Sequence, residues 1–334
     1  MIMNLNKILF FIMLMLSAMI TLSSNNWLGM WMGLEINLMS FIPLISKNKS
    51  KKSSQAMMIY FLIQSISSIL LLFSVTMSST MFLYNELMND SFKIMIIISI
   101  MMKTGAAPFH FWLPEMMSNI SWTKCMILMT WQKTAPLFIM MNVMSSNWFI
   151  HLSVMLSVAV GSIGGLNQTS LRKIMAYSSI NHLGWMMMFM SMNLMWYKYL
   201  IIYSLLIVMI CSFLNTKKVY FINQLNSSSY SLMEKLMCTT LFLSIGGLPP
   251  FLGFLPKWMV IQSMMNSMMF SIMIIMMMFS LITLFYYMRM MTSFMLSYSM
   301  MNKFINNKEI SKFMLFMLMF INLMLPTLMM MGFF

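Results

Sequence analysis

Three lysines and a glutamate stand where an apolar sequence has little use for charge. Lys103 lies mid-way along Ile96 to Glu115, IIISIMMKTGAAPFHFWLPE, and a Gly-Ala-Ala-Pro break follows it at once. Glu35 sits near the middle of the apolar stretch 27–46, Lys133 is central in 122–144, and Lys257 follows a second break, Gly246-Gly-Leu-Pro-Pro. An ammonium at the centre of a bilayer costs about 3 kcal/mol on insertion scales, so Lys103 must face a protein interior, a partner charge or water. Pro108 removes a helical hydrogen bond just beyond it, and a break at membrane depth is tolerated only where backbone is buried in protein or lines a wet cavity. Lysine and freed carbonyls in one place make an ion-pathway element. The rival account, a lysine snorkelling from a helix end, is disfavoured by the apolar residues on both sides. The chemistry that such groups can do is proton exchange. Burial disfavours an ammonium and a nearby carboxylate favours it again, so moving one charge toggles a proton.

The elements that must position these groups are membrane helices. Of 334 residues, 60% are hydrophobic and 8% charged, and runs such as Ile8 to Ile20 and Ser271 to Tyr287 carry almost no polar interruption. A span needs about 20 apolar residues; about eleven such segments can be placed, using roughly 220 residues and leaving only short loops. The expected fold is an all-α polytopic membrane protein. Its segments begin near Lys7, Trp27, Gln55, Ile96, Trp122, Trp148, Leu171, Trp196, Leu236, Met268 and Lys312. The fourth and ninth are the broken ones. They stand five positions apart, an odd number, so the second crosses in the opposite sense to the first, which is the arithmetic of an inverted repeat. The division that follows is 1-145, then 146-294 as the inverted five-helix copy, then 295-334 as a loop and a C-terminal helix. The 56 methionines stand where Ile or Leu would serve and are read as apolar filler.

Several functions are set aside by what is missing. Cys125, Cys211 and Cys238 form no CxxC, and His110, His151 and His182 are far apart, so no iron–sulfur, zinc or haem ligand set is visible. Gly161-Ser-Ile-Gly-Gly has neither the spacing nor the preceding strand of a phosphate loop. The first segment imitates a signal peptide, but the next apolar segment follows almost at once and no small-residue cleavage site is clear. Of the 20 basic residues, fifteen from Lys7 to Lys312 fall on one side of the alternation and Lys93 and Lys198 on the other. That asymmetry places the amino terminus inside and the carboxyl terminus outside. Lys103, Lys133 and Lys257 are the three left over, which isolates them as intramembrane charges. The net charge of +14 is therefore a topology signal, and nucleic-acid binding is a poor reading of it. The cluster from Lys47 to Lys52 reads as a solvated loop attracted to anionic lipid.

Glu35, Lys103-Thr-Gly-Ala-Ala-Pro-Phe-His-Phe-Trp-Leu-Pro-Glu, Trp131-Gln-Lys-Thr-Ala-Pro, the run from Leu166 to His182, and Gly246-Gly-Leu-Pro-Pro-Phe-Leu-Gly-Phe-Leu-Pro-Lys-Trp carry a resemblance. Along nearly its whole length the chain resembles the antiporter-like membrane subunits of respiratory complex I, in a branch whose animal members are shorter by three amino-terminal helices. The resemblance implies a proton-translocating subunit of an NADH:ubiquinone oxidoreductase in the mitochondrial inner membrane, with the inside face as matrix. It implies that this chain binds no cofactor, the NADH, FMN, iron–sulfur clusters and ubiquinone being used elsewhere in the complex. Its partners would be other membrane and peripheral subunits and membrane lipids, cardiolipin among them. The family's glutamate falls on Glu35, its broken-helix lysine on Lys103, its bridging lysine on Lys133 and its far-side lysine on Lys257. Glu35 would hold Lys103 charged until that pair weakens, and the proton would pass through water to Lys133 and then Lys257.

His182 fits proton exchange by its ordinary pKa near 6.5, and fits equally a structural hydrogen bond beside Asn181. His110 and His151 read as interfacial. Two rival classes share these features: a stand-alone cation/proton antiporter, and a membrane anchor whose buried ion pairs only fix helix packing.

Overall fold

Helices form where the sequence is apolar, and the two expected breaks fall where Gly105 and Gly247 turn the chain at positive φ. The structure, a computed structural model, describes residues 5–46, 50–80, 86–143, 148–192, 195–227, 231–296 and 312–330. Lys47, Lys49, Lys303, Lys308 and the expected division between 145 and 146 lie outside the described residues. Residue contacts divide the chain into two units, Met1–Ser153 and Val154–Phe334.

The first unit is built from α1 (Leu5–Ser23), α2 (Trp27–Ile45), α3 (Lys51–Thr80), α4 (Glu86–Thr104), α5 (Trp112–Asn119), α6 (Trp122–Met129) and α7 (Trp131–Val143). Helix α7 touches α1, α2, α4 and α6, which makes it the hub. The serines and threonines that punctuate these helices bond backwards: Ser17, Ser67 and Ser74 each donate to the carbonyl three residues before, at 2.7–2.8 Å. A hydroxyl satisfied inside its own helix can sit in an apolar layer.

The second unit follows from α8 (Trp148–Ile163), which spans the division, through α9 (Leu171–Ser191), α10 (Trp196–Lys217), α11 (Ile222–Ser227), α12 (Leu232–Gly246), α13 (Phe254–Asn266), α14 (Phe270–Leu296), α15 (Lys312–Asn322) and α16 (Leu325–Met330). Helix α9 is the axle: 18 of its 21 residues are buried, and from Ser178 to Ser191 the burial is unbroken. Helix α12 opens with a capping box between Ser231 and Glu234, and Glu234 also takes Lys217 at 2.6 Å.

Each of the eleven expected segments holds one helix or a consecutive pair, and α11 is the addition. Among the described residues five helices are long and apolar enough to cross a membrane: Asn6–Ser23, Trp27–Ile45, Lys51–Ser79, Trp196–Lys217 and Phe270–Met295. The other segments fall short because they are broken, short, or, in α9, polar inside. Two breaks were not expected. Segment 122–144 is interrupted at Thr130, whose hydroxyl takes its own helix's carbonyl at Met126, 2.7 Å away. Segment 312–331 is interrupted because Pro326 has no N–H for the carbonyl of Asn322, which instead accepts from Leu252 at 3.1 Å. Three loop cations also proved buried: Lys124 donates to Ile45 O at 2.7 Å, Lys217 pairs with Glu234, and Lys235 lies over the Phe294 ring.

Candidate functional site

The last turn of α4 leaves carbonyls that its own helix cannot satisfy, and those of Met101, Met102 and Lys103 find donors beyond it. Gly105 turns the chain at φ +76°, and its N–H and that of Ala106 return to Met101 O at 2.9 and 3.1 Å. A Cβ on Gly105 would also meet Leu113 Cδ1 at 2.8 Å. Trp112 Nε1 donates to Met102 O at 3.1 Å, and Gln64 Nε2 donates to Lys103 O at 3.2 Å. The break is thereby closed by two side chains from outside the turn. The Lys103 ammonium is not drawn into capping its own helix.

Lys103, 7% exposed, and Lys133, 3% exposed, instead line one cavity of about 20 Å³ with Asn37, Gln64, Thr104 and Gln132. That volume suits a single water molecule. Asn37 Oδ1 and Gln132 Nε2 have no hydrogen-bond partner among the described residues, so an acceptor and a donor remain for such a water. Pro136, one turn past Gln132, removes the N–H that would have taken the Gln132 carbonyl. Two ammoniums around so small a space repel, and the cavity holds one charge more readily than two.

Glu35 stands apart from this cavity. Leu34, Asn37 and Leu38 present one face of α2 to it, and Glu35 is turned from that face by about 100° of helix. It is half-buried in an open apolar groove with Leu9, Phe10, Met13, Ile36 and Met39. The structure thus brings Lys103 and Lys133 together and leaves Glu35 at a distance.

In the second unit α12 ends at Gly247, φ +83°, whose N–H bonds Leu243 O at 3.1 Å and Ser244 O at 3.0 Å. Here the lysine itself closes the break: Lys257 reaches back from α13 and donates to Gly246 O at 2.6 Å. Its ammonium stands 6.0 Å from the centre of the Trp185 ring. His182, one turn before Trp185 on α9, is 4% exposed and shares a 2.9 Å hydrogen bond between Nδ1 and the Tyr199 hydroxyl. His110 lies inside the first break, bonded to Pro108 O at 3.1 Å, and His151 lies on α8.

Sequence reasoning passed over Asn37, Gln64 and Gln132. A lone amide within an apolar run, as Gln64 stands in FLIQSISSILLLF, was the available signal, because an amide there needs a buried partner. Among the described residues no three His, Cys, Asp or Glu side chains gather as a metal site, and the three cysteines are buried.

Residues 24–283 match the family described as NADH:quinone oxidoreductase/Mrp antiporter, TM. The NADH-ubiquinone oxidoreductase chain 2 of Anopheles gambiae is 47% identical over 311 residues, 90% of this chain and 90% of that one. That of Locusta migratoria is 44% identical, over 92% and 91%. Among solved structures, a chain of the respiratory complex I from Thermus thermophilus with bound aureothin is similar with a TM-score of 0.78 at 20% identity, covering 87% of this chain and 71% of that one. A chain of the Mrp complex from Dietzia sp. DQ12-45-1b gives 0.77 at 13%, covering 85% and 59%. At such identities the two structures speak for the fold alone.

Proposed function

We propose a function from one premise: this chain belongs to the NADH:quinone oxidoreductase/Mrp antiporter family. It serves as a membrane subunit of NADH:ubiquinone oxidoreductase, respiratory complex I, as a multi-pass protein of the mitochondrial inner membrane. Two relatives named as chains of NADH-ubiquinone oxidoreductase are 47% and 44% identical over nine-tenths of the chain, and this favours a complex I subunit over a stand-alone antiporter. NADH, FMN, iron–sulfur clusters and ubiquinone are handled by the complex's other subunits, which are this chain's partners.

Within that assignment, Glu35, Lys103, Lys133, Lys257 and His182 are the groups that carry protons across the bilayer. The observation that carries this reading is the water-sized cavity shared by Lys103 and Lys133. A water between two lysines that resist being charged together can move a proton from one to the other without either leaving its helix. Glu35, which biases Lys103 from a distance, sets when that transfer runs. The division into repeats 1-145 and 146-294 with a tail 295-334, an amino terminus in the matrix and a carboxyl terminus in the intermembrane space, and binding of anionic lipid such as cardiolipin belong to the same proposal.

The test is Lys133→Met in the assembled complex, with NADH oxidation and proton uptake followed together in sealed vesicles. Electron transfer should continue under uncoupled conditions while fewer protons move per electron. An unchanged proton-to-electron ratio would sink the pathway and leave the lysines as packing elements.

A further inference from the structure

The second unit holds a polar interior that the lysines do not account for. Helix α9 contributes Ser178, Ser179, Asn181, His182 and Trp185; α10 contributes Tyr199 and Tyr203, one turn apart; α14 contributes Tyr286 and Tyr287. Every one of these is at most 4% exposed. They lie near one another. Tyr199 is hydrogen-bonded to His182 at 2.9 Å, and the Tyr203 ring lies 5.0 Å from the imidazole. The Tyr203 hydroxyl faces Ser179 and Tyr287, and the Tyr287 hydroxyl faces Ser178 and Tyr286, whose ring is 4.6 Å away.

A packing role does not require these hydroxyls. Phenylalanine would fill the same volume without burying an oxygen, and a buried polar atom left unmatched costs about 1–3 kcal/mol. Yet the hydroxyls of Tyr286 and Tyr287, Trp185 Nε1 and Asn181 Oδ1 have no hydrogen-bond partner among the described residues. Several unmatched polar atoms facing one another are the setting in which buried water is held. A phenol both accepts and donates, so it can pass a proton along a hydrogen-bonded series.

We propose that Tyr199, Tyr203, Tyr287 and Tyr286 form a hydroxyl relay that delivers protons to His182 or removes them, running from α10 past α9 to α14, with Ser178 and Ser179 bonded to their own helix at Met175 O and Ala176 O beside it. Each hydroxyl oxygen takes a proton from one neighbour as its own proton leaves to the next, so no phenolate forms. His182 accepts at one ring nitrogen and releases from the other, returning to the neutral imidazole. Protons are the only species moved, and no bond other than O–H and N–H is made or broken. This relay rests on the proton-carrying reading above.

The experiment compares four variants of the intact complex in sealed vesicles: Lys133→Met, Tyr199→Phe, Tyr287→Phe and Phe242→Leu. Phe242 packs against Tyr287 at 6.0 Å between ring centres and brings no hydroxyl. Losing a positioned proton carrier slows transfer by about 100-fold or more. Tyr199→Phe and Tyr287→Phe should therefore lose this chain's share of the proton-to-electron ratio while uncoupled NADH oxidation persists, and Phe242→Leu should keep the ratio. If Lys133→Met lowers the ratio and the two tyrosine variants do not, the relay is overturned and the proton-carrying reading stands. If Lys133→Met leaves the ratio intact, that reading falls first. Failure of Tyr287→Phe to assemble would make its hydroxyl structural and overturn the relay. Should Tyr199→Phe fail to assemble, Tyr199→His decides: assembly with a normal ratio supports the relay, and assembly with a lowered ratio overturns it.

Discussion

The two broken helices solve the same backbone problem with different donors. At the first break, Gln64 and Trp112 take the carbonyls of Lys103 and Met102, and the Lys103 ammonium is left facing the cavity. At the second, Lys257 is itself the donor to Gly246 O, and Leu252 is tied to Asn322 O. One lysine is spared by its neighbours and the other is engaged by the break. The difference separates a group poised to change its charge from one whose proton also holds a helix end. Neutral Lys257 could still bond a carbonyl through a remaining N–H, but more weakly, because hydrogen bonds to charged groups are roughly twice as strong.

The largest effects should come from removing the lysines. Lys103→Met and Lys257→Met should both abolish this chain's proton movement, but only Lys257→Met also unpairs the Gly246 carbonyl, a loss of about 1–3 kcal/mol. Native gels should show normal complex for Lys103→Met and less for Lys257→Met; equal losses would erase the contrast. The glycines come next. Alanine at a left-handed position costs about 1–2 kcal/mol wherever it is placed. At Gly105 the new methyl also meets Leu113 and Trp112, whereas at Gly247 it meets the flexible end of Lys257. Gly105→Ala should therefore lower the heat-inactivation midpoint further, and Gly247→Ala should act more on the proton-to-electron ratio by moving the lysine off its carbonyl. The smallest effect is that of Trp112→Phe, which loses one hydrogen bond and about 1 kcal/mol. A shift at Trp112 as large as at Gly105 would mean that the first break is held by the indole rather than by the turn.

How much of this was readable in the sequence depends on what each residue has to say alone. Gly105, Pro108, Gly247 and Pro250 announce their breaks because no other residues behave as they do on the backbone. Thr130 gave no such notice, since threonine is ordinarily tolerated inside a helix. The Pro326 break was announced by its proline and missed because the segment ran on to Met331. Position along a helix located Glu35 and Lys103 each at mid-span, but direction around the helix axis decides contact, and only packing fixes which face of α2 meets α4. Counting cations at helix ends assigned Lys124, Lys217 and Lys235 to the inner side and no more, because the count cannot see Ile45 O or the Phe294 ring. Lys217 had a readable clue in Ser231-x-x-Glu234, a capping box that stations a carboxylate near the start of α12. The tyrosine series had none, since its members come from α10 and α14 and meet only in the folded chain.

The unbroken burial of α9 bears on how this chain can vary. A helix with one outward face lets substitutions accumulate there at little cost. From Ser178 to Ser191 α9 has no such face. A larger side chain meets neighbours in every direction, and a smaller one opens a void. In a saturation library read out by complex assembly, tolerance should therefore vary around α1 or α14 with the period of a helix, and should be uniformly low along this stretch of α9.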